Sequence, residues 1–276
     1  MELAGRVAVV TGAASGIGLA MVQRFAAEGM ALVLADIEEE PLGQAVDDLR
    51  SGGAECIGVV TDVSDAAAMD HLAEEAFARF DSVHLVCNNA GVGGGGSILD
   101  TTPEQWEWVL GVNLWGVVHG LRVFLPRLVE QDEGHVVNTA SVAGIVSTPY
   151  MAAYNASKHG VVTLSETLHY ELADAGSNVG VSVLCPAWMR TRIHESHRNQ
   201  SGELAAQSAS QTEEAVRGKV ADLIADGRDP AEAAALVVDA VRSGAFYILT
   251  HPGIKPYFAR RFEDILEERN PSVEGV

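Results

Sequence analysis

The chain has 276 residues, 47% of them apolar, and a formal net charge of −20 from 18 basic and 38 acidic side chains. That length fits one large α/β unit, residues 1–276, with ample material for a core. The acidity argues against nucleic acid and anionic membrane surfaces as partners, and no uninterrupted apolar stretch approaches the roughly 18 residues that span a bilayer. Met1–Arg6 carries no charged-then-apolar leader. The three cysteines, Cys56, Cys87 and Cys185, sit in apolar runs without metal spacing. Buried free thiols, a cytoplasmic location and no metal site are therefore expected.

Taken in order, the first apolar run, Val7–Thr11, leads into Thr11-Gly12-Ala13-Ala14-Ser15-Gly16-Ile17-Gly18, which opens a helical pattern. Glycines there permit a tight turn and let backbone N–H groups approach a pyrophosphate at a helix N-terminus. Gly12, Ser15, Gly16, Ile17 and Gly18 are the candidate contacts. The second run, Ala31–Ala35, ends at Asp36, eighteen residues after Gly18. A carboxylate in that place accepts hydrogen bonds from adenosine ribose hydroxyls and repels a 2′-phosphate. Ile37-Glu38-Glu39-Glu40 follows, and no Arg or Lys lies between Thr11 and Met21, so NAD is expected over NADP. The third run, Cys56–Thr61, delivers Asp62 and Val63, placed to touch an adenine or simply to form a strand-end turn. The fourth, Val83–Cys87, delivers Asn88-Asn89-Ala90-Gly91, whose small residues let the chain pass close to a ribose. Gly93–Gly96 reads as a flexible loop.

Pro103–Val129 reads as one long helix whose apolar residues, Trp106, Trp108, Leu114, Trp115 and Phe124 among them, exceed a single stripe. The fifth run, His135–Thr139, is followed by Ser141. Tyr154 and Lys158 then fall four residues apart, on one helix face. A phenol titrates near pH 10, and a fixed positive charge beside it favours the phenolate. A serine hydroxyl could hold a substrate oxygen against that phenol. The sixth run, Val179–Cys185, precedes a polar excursion at about 188–230, where a mobile substrate lid would sit. Ser201–Gln211 is its least apolar part. The seventh run is Phe246–Leu249, and the tail 252–268 places Tyr257, Phe258, Phe262 and Leu266 at helical spacing, suited to packing on the lid or on another subunit. Valine-rich runs without polar alternation, separated by helical patterns, predict a doubly wound Rossmann-type sheet of seven mostly parallel strands with helices on both faces.

Thr11–Gly18, Asp62, Asn88–Gly91, Asn113, Ser141, Tyr154 and Lys158 together resemble the short-chain dehydrogenase/reductase family in its common single-domain form. The similarity runs from about Arg6 to Thr191. It implies a catalytic tetrad of Asn113, Ser141, Tyr154 and Lys158. Tyr154 would be the general acid/base, Ser141 would orient the substrate oxygen, and Lys158 would lower the phenol pKa and hold the nicotinamide ribose. Asn113 would hold a water linking Lys158 to solvent. Asn89, Ala90 and Gly91 would line the cofactor cleft, and Pro186–Thr191, with Met189, would flank the nicotinamide, Thr191 reaching its carboxamide. Two departures stand out: Pro186-Ala187 replaces the usual Pro-Gly, and His84 stands where an aspartate is usual.

The expected activity is NAD-dependent interconversion of a hydrophobic secondary alcohol and its ketone, in a homodimer or homotetramer built through the long helix and the one carrying Tyr154. Pocket candidates are Val142, Ala143, Ser147, Tyr150, Met151, Trp188 and Met189. Arg190, Arg192, His194 and Arg198 form a cluster able to attract an anionic substrate group. Two alternatives stay open. One is an acyl-carrier or CoA-linked 3-ketoacyl reductase, for which Arg122 and Arg127 would have to form a basic docking patch. The other is a non-catalytic NAD-binding sensor.

Overall fold

A computed structural model describes residues 1–206 and 209–272 of the chain. Its strands are β1 (Val7–Thr11), β2 (Ala31–Asp36), β3 (Cys56–Val60), β4 (Leu85–Asn88), β5 (His135–Thr139), β6 (Gly180–Cys185) and β7 (Tyr247–Leu249). They form a single sheet in the order β3-β2-β1-β4-β5-β6-β7, every neighbouring pair parallel. The order reverses between β1 and β4, which opens a crevice beyond the carboxyl ends of those strands.

Parallel pairing demands a crossover on each return, and the crossovers are helices. They are α1 (Gly16–Ala27), α2 (Glu39–Ser51), α3 (Ala66–Phe80), α4 (Pro103–Leu110), α5 (Gly116–Glu130), α6 (Ala152–Asp174), α7 (Gly202–Ala206), α8 (Gln211–Ala225), α9 (Pro230–Ser243) and α10 (Lys255–Leu266). Strand alternation sends side chains to two separate cores. Ala8, Val10, Leu32 and Leu34 pack with Met21, Phe25 and Val237 of α1 and α9. Val9, Val33, Val86 and Val136 pack with Leu72, Phe124 and Leu168 of α3, α5 and α6. Because both faces are covered, the strands carry no polar alternation.

The long helix expected over 103–129 is interrupted. Thr102 and Gln105 form a reciprocal capping box at its start. A π-helical turn, Gly111–Trp115, then separates α4 from α5. The combined run Pro103–Glu130 is long and apolar enough to cross a bilayer by length and composition. It lies along the sheet instead, burying Val109, Val117, Phe124 and Leu128.

The excursion after β6 is pinched at its base. Arg190 N donates to Arg228 O (2.9 Å) and Arg228 N to Trp188 O (3.0 Å). Arg190 braces this neck through Gly227 O (2.8 Å) and Asp229 (2.7 Å). Within it lie a 3₁₀ segment, Ile193–Asn199, followed by α7 and α8. The polar stretch 201–211 is partly helical, and its positions 207 and 208 lie outside the described residues. The tail forms α10 as its spacing predicted, but Phe262, Ile265 and Leu266 are exposed rather than packed on the excursion.

His84 lies at the amino edge of the sheet, with Nδ1 3.2 Å from Val7 N and Nε2 3.3 Å from an Arg6 nitrogen. It packs the sheet far from the crevice. All three cysteines are free and buried. Burial pushes Cys185 up to about 12, which leaves its thiol protonated.

His135 opens β5 in full burial, its Nε2 2.8 Å from Ser182 Oγ, which itself donates to Ala245 O. That hydroxyl is committed, so the ring is the donor and is held neutral. Burial lowers its pKa to about 4. A ring that must stay neutral in the fold but charges near pH 6.5 when unfolded costs stability as pH falls from 6.5 towards 4. At pH 5 the cost is about 2 kcal/mol by linkage. Urea unfolding of wild type and His135→Gln at pH 7 and pH 5 tests this: the loss at pH 5 should shrink by about that amount in the variant.

Candidate active site

The crevice is a cleft of about 510 Å³ running along the carboxyl ends of the strands. Its first wall is the turn after β1. Gly12 and Gly16 both have positive φ, at 65° and 54°. A Cβ on Gly18 would stand 2.0 Å from Gly12 O, so only glycine fits where the turn folds back on α1. Ser15 caps α1 with no side-chain hydrogen bond, and the first turn carries no acidic residue. Free N–H donors and the helix dipole then suit this turn to a pyrophosphate. Gly12, Ser15, Gly16 and Ile17 line the cleft. Gly18 does not: it is buried, and its part is packing, which corrects its expected place among the contacts.

Asp36 closes β2 at the cleft wall, and only 8% of it is exposed. Its carboxylate accepts Ala14 N (2.9 Å) and Glu38 N (3.0 Å), which fix its orientation. Burial raises its pKa, and those backbone donors pull it back. Asp62 and Val63 line the cleft as well, though Asp62 also accepts Ser64 N (2.9 Å) in a strand-end turn. Asn89 spends its amide on the scaffold, donating to Thr11 O (3.0 Å) and accepting from Thr139 Oγ1 (3.2 Å). Ala90 and Gly91 lie beside it on the cleft floor.

Ser141, Tyr154 and Lys158 all reach the cleft. Ser141 Oγ lies 3.3 Å from Pro186 O and accepts Ala143 N at 3.1 Å. Lys158 is almost fully buried, donates to Thr139 O at 3.0 Å and stands 5.7 Å from the Tyr154 ring centroid. Burial lowers its pKa to about 8. The Tyr154 phenol is raised by burial, with the Ser141 hydroxyl pulling it down. Burial thus acts on both groups against their charged forms.

Asn113 occupies the π turn and is wholly buried. It accepts Val92 N (2.8 Å), donates to Val92 O (3.0 Å) and donates to Ser157 Oγ (3.2 Å). Both amide hydrogens are thus committed to protein. The side chain braces the loop after β4 so that Gly91 sits against Lys158, where a Cβ would come 3.4 Å from Nζ. Pro186, Met189 and Thr191 form the opposite wall. Thr191 packs on Gly16, 3.0 Å from where a Cβ would be. Ala187 keeps negative φ, and its N–H donates to Thr250 Oγ1 at 3.2 Å, so alanine imposes no strain there.

Residues 6–202 match the family model described as short chain dehydrogenase. The chain belongs to the short-chain dehydrogenase/reductase family. A member of this family from Burkholderia phymatum, solved in complex with NAD, is 46% identical and superposes with a TM-score of 0.97, covering 99% of this chain and 98% of that one. The 1-deoxy-11-beta-hydroxypentalenate dehydrogenase of Streptomyces avermitilis is 36% identical over 271 residues, 96% of this chain and 92% of the relative. The C alpha-dehydrogenase of Sphingobium sp. is 30% identical over 96% of this chain and 87% of its own length.

Beyond the family motifs, the far end of the cleft differs from what the sequence suggested. Val142, Ala143, Met151, Trp188 and Met189 line it, whereas Ser147 and Tyr150 do not. Tyr150 is exposed, at a positive φ of 62°. Trp108, Val109 and Val112 of the long helix and Val216, Val220 and Ile224 of α8 supply the remaining apolar wall. Gly93–Gly96 is the seam between them. A Cβ on Gly94 would lie 2.8 Å from Val109, and one on Gly95 2.7 Å from Val216. Gly93, Gly94 and Gly95 are needed for close packing, and Gly96 for its φ of 143°. Of the arginine cluster, Arg190 leaves to brace the neck, while Arg192, paired with Glu195 (2.7 Å), and Arg198, paired with Glu38, stay together on the cleft with His194.

The brace gives a test. Asn113→Ala leaves the Val92 N–H and C=O unpaired in the interior, a loss of about 1–3 kcal/mol. A lower urea midpoint is expected, and Asn113→Asp, which turns a carboxylate oxygen towards Val92 O at a fully buried position, should fall at least as far.

Proposed function

We propose that this chain is an NAD-dependent dehydrogenase/reductase that interconverts a bulky hydrophobic secondary alcohol and its ketone. One observation carries the reading: Ser141, Tyr154 and Lys158 stand in one cleft between a glycine turn suited to a pyrophosphate and an apolar chamber. The nicotinamide dinucleotide, when bound, supplies the two-electron acceptor or donor for hydride. Gly12, Ser15, Gly16 and Ile17 would hold its pyrophosphate, Asp36 its adenosine ribose, Asp62 and Val63 its adenine, and Asn89, Ala90, Gly91, Tyr154 and Lys158 its remaining ribose. Pro186, Met189 and Thr191 would flank the nicotinamide. A complex with NAD in the 46%-identical relative supports that assignment.

The chain's own chemistry is proton transfer. Ser141 Oγ holds the substrate oxygen, and Tyr154 Oη takes its proton during oxidation and returns it during reduction. Lys158 presents its ammonium beside the phenol ring, and Asn113 is a positioning residue that sets the loop against it. Dehydrogenase names among the relatives, one for a hydroxypentalenate, support action at CH–OH. The segment 188–230 acts as the lid of a single domain, since α8 roofs the apolar chamber. For the carrier-protein alternative, Arg122 and Arg127 are exposed but each stands beside a carboxylate, Asp70 (2.8 Å) and Glu130 (3.2 Å), which weakens them as a basic docking patch. A second copy of the chain is the natural cover for exposed Trp115 and Tyr170 on the long helix and α6, and light scattering should give a dimer or tetramer.

A panel of secondary alcohols with NAD⁺, read as absorbance of the reduced cofactor, tests the reaction; silence across hydrophobic members would count against it. Tyr154→Phe should lower kcat by about 10²–10⁴-fold while NAD⁺ binding is retained. Val220→Asp, which puts a charge in the apolar chamber, should raise KM and leave the affinity for NAD⁺ unchanged.

A further inference from the structure

Glu38 and Arg198 are 160 residues apart in sequence and meet across the mouth of the cleft. Arg198 Nε and Nη2 each lie 2.8 Å from a Glu38 carboxylate oxygen, a forked pair with side chains 24% and 17% exposed. Both line the cleft beside Asp36. The fold itself has little need of the pair. The segment Ile193–Asn199 is already fastened at its other side, where Ser196 Oγ accepts Gly93 N at 3.0 Å. Arg198 also donates Nη1 to Arg192 O at 3.2 Å, so its guanidinium stays near this mouth even without the glutamate. The charged groups here are Asp36, Glu38 and Glu195 against Arg192 and Arg198.

A guanidinium fork is the side chain best matched to a phosphate. If Asp36 holds the adenosine ribose, as proposed above, a 2′-phosphate would arrive beside Glu38 and Arg198. We propose that the Glu38–Arg198 pair selects the cofactor: Glu38 fills the guanidinium fork that would otherwise receive a 2′-phosphate. The negative residues after β2 are thus only half of the selectivity. The other half is an arginine kept occupied, delivered by a segment far away in sequence. Removing the charge of Glu38 should uncover an NADP site already equipped with Arg198, and with Arg192 close by.

The test is equilibrium binding of NAD⁺ and NADP⁺ to wild type, Glu38→Gln, Arg198→Gln and the double variant, by calorimetry, with circular dichroism to confirm folding. Wild type should prefer NAD⁺. Glu38→Gln should tighten NADP⁺ about tenfold or more, the scale of one new charge-assisted contact. The double variant should lose most of that gain. NAD⁺ preference with an unmoved ratio in Glu38→Gln overturns the inference alone, as does a gain that survives in the double variant, which would reflect lost repulsion only. Failure of wild type to bind either nucleotide overturns the dinucleotide reading and this inference with it. A wild-type preference for NADP⁺ overturns both the reading of Asp36 and the masking of Arg198.

Discussion

Three strand ends are tied together by one polar seam, and the cleft exists because of it. Thr11 Oγ1 accepts Asn89 N (2.9 Å) and Ala90 N (3.0 Å), Asn89 donates back to Thr11 O, and Thr139 Oγ1 bonds Asn89. At the point where the strand order reverses, neighbouring crossovers leave in opposite directions and the ladder ends. Backbone groups there would be left unpaired. The seam satisfies them and holds the carboxyl ends of β1, β4 and β5 at a fixed separation. It also reaches the chemistry, because the Thr139 carbonyl accepts the Lys158 ammonium. The glycine turn, Gly91 and Lys158 are thereby set from one scaffold, not by separate loops.

What could be read from the chain followed the range of each interaction. The seven strand runs agree with the observed strands to within two residues, since apolar runs and the turns that bound them are local. The glycine turn, Asp36, Asn89 and Ser141 were legible for a related reason: each lies at or just after a strand end, and strand ends converge on the crevice, while Tyr154 was legible through its helical spacing from Lys158. The contacts that escaped are all long-range. Val216 and Ile224 could not be assigned to the cleft without knowing that α8 folds back over Gly93–Gly96. The run of glycines suggested mobility because the partners it packs against lie far away in sequence. Arg198 looked like part of a basic cluster facing substrate, whereas its partner is Glu38. Ser147 and Tyr150 were too generously included, because nearness in sequence to Tyr154 is not nearness to its pocket.

The electrostatics of the site were the least legible part. Sequence spacing puts Lys158 and Tyr154 on one helix face, and that much holds. Spacing does not reveal burial, and burial acts on both groups against charge. It brings Lys158 down to about 8 and raises the phenol. The free values of the two groups nearly coincide, so burial moves them apart: the ammonium gives up its proton more readily and the phenol holds its own more firmly. An acid/base site made by desolvation must be kept dry, and the apolar walls of Val92, Val109 and Ala153 do that on one side.

The pinched neck at Trp188 and Arg228 has a consequence for how such a protein can diversify. Two main-chain hydrogen bonds fix where the excursion leaves and rejoins the sheet. The entropy of closing a loop grows only with the logarithm of its length, about 0.6 kcal/mol per doubling. Residues inside the neck can then be added, lost or rewritten at little cost to the sheet below. Ser141, Tyr154, Lys158 and the glycine turn lie outside the neck, and the chamber wall of α8 lies inside it, together with Thr191 and Arg198. The neck therefore lets the chamber wall vary while the acid/base residues below it stay where the sheet puts them.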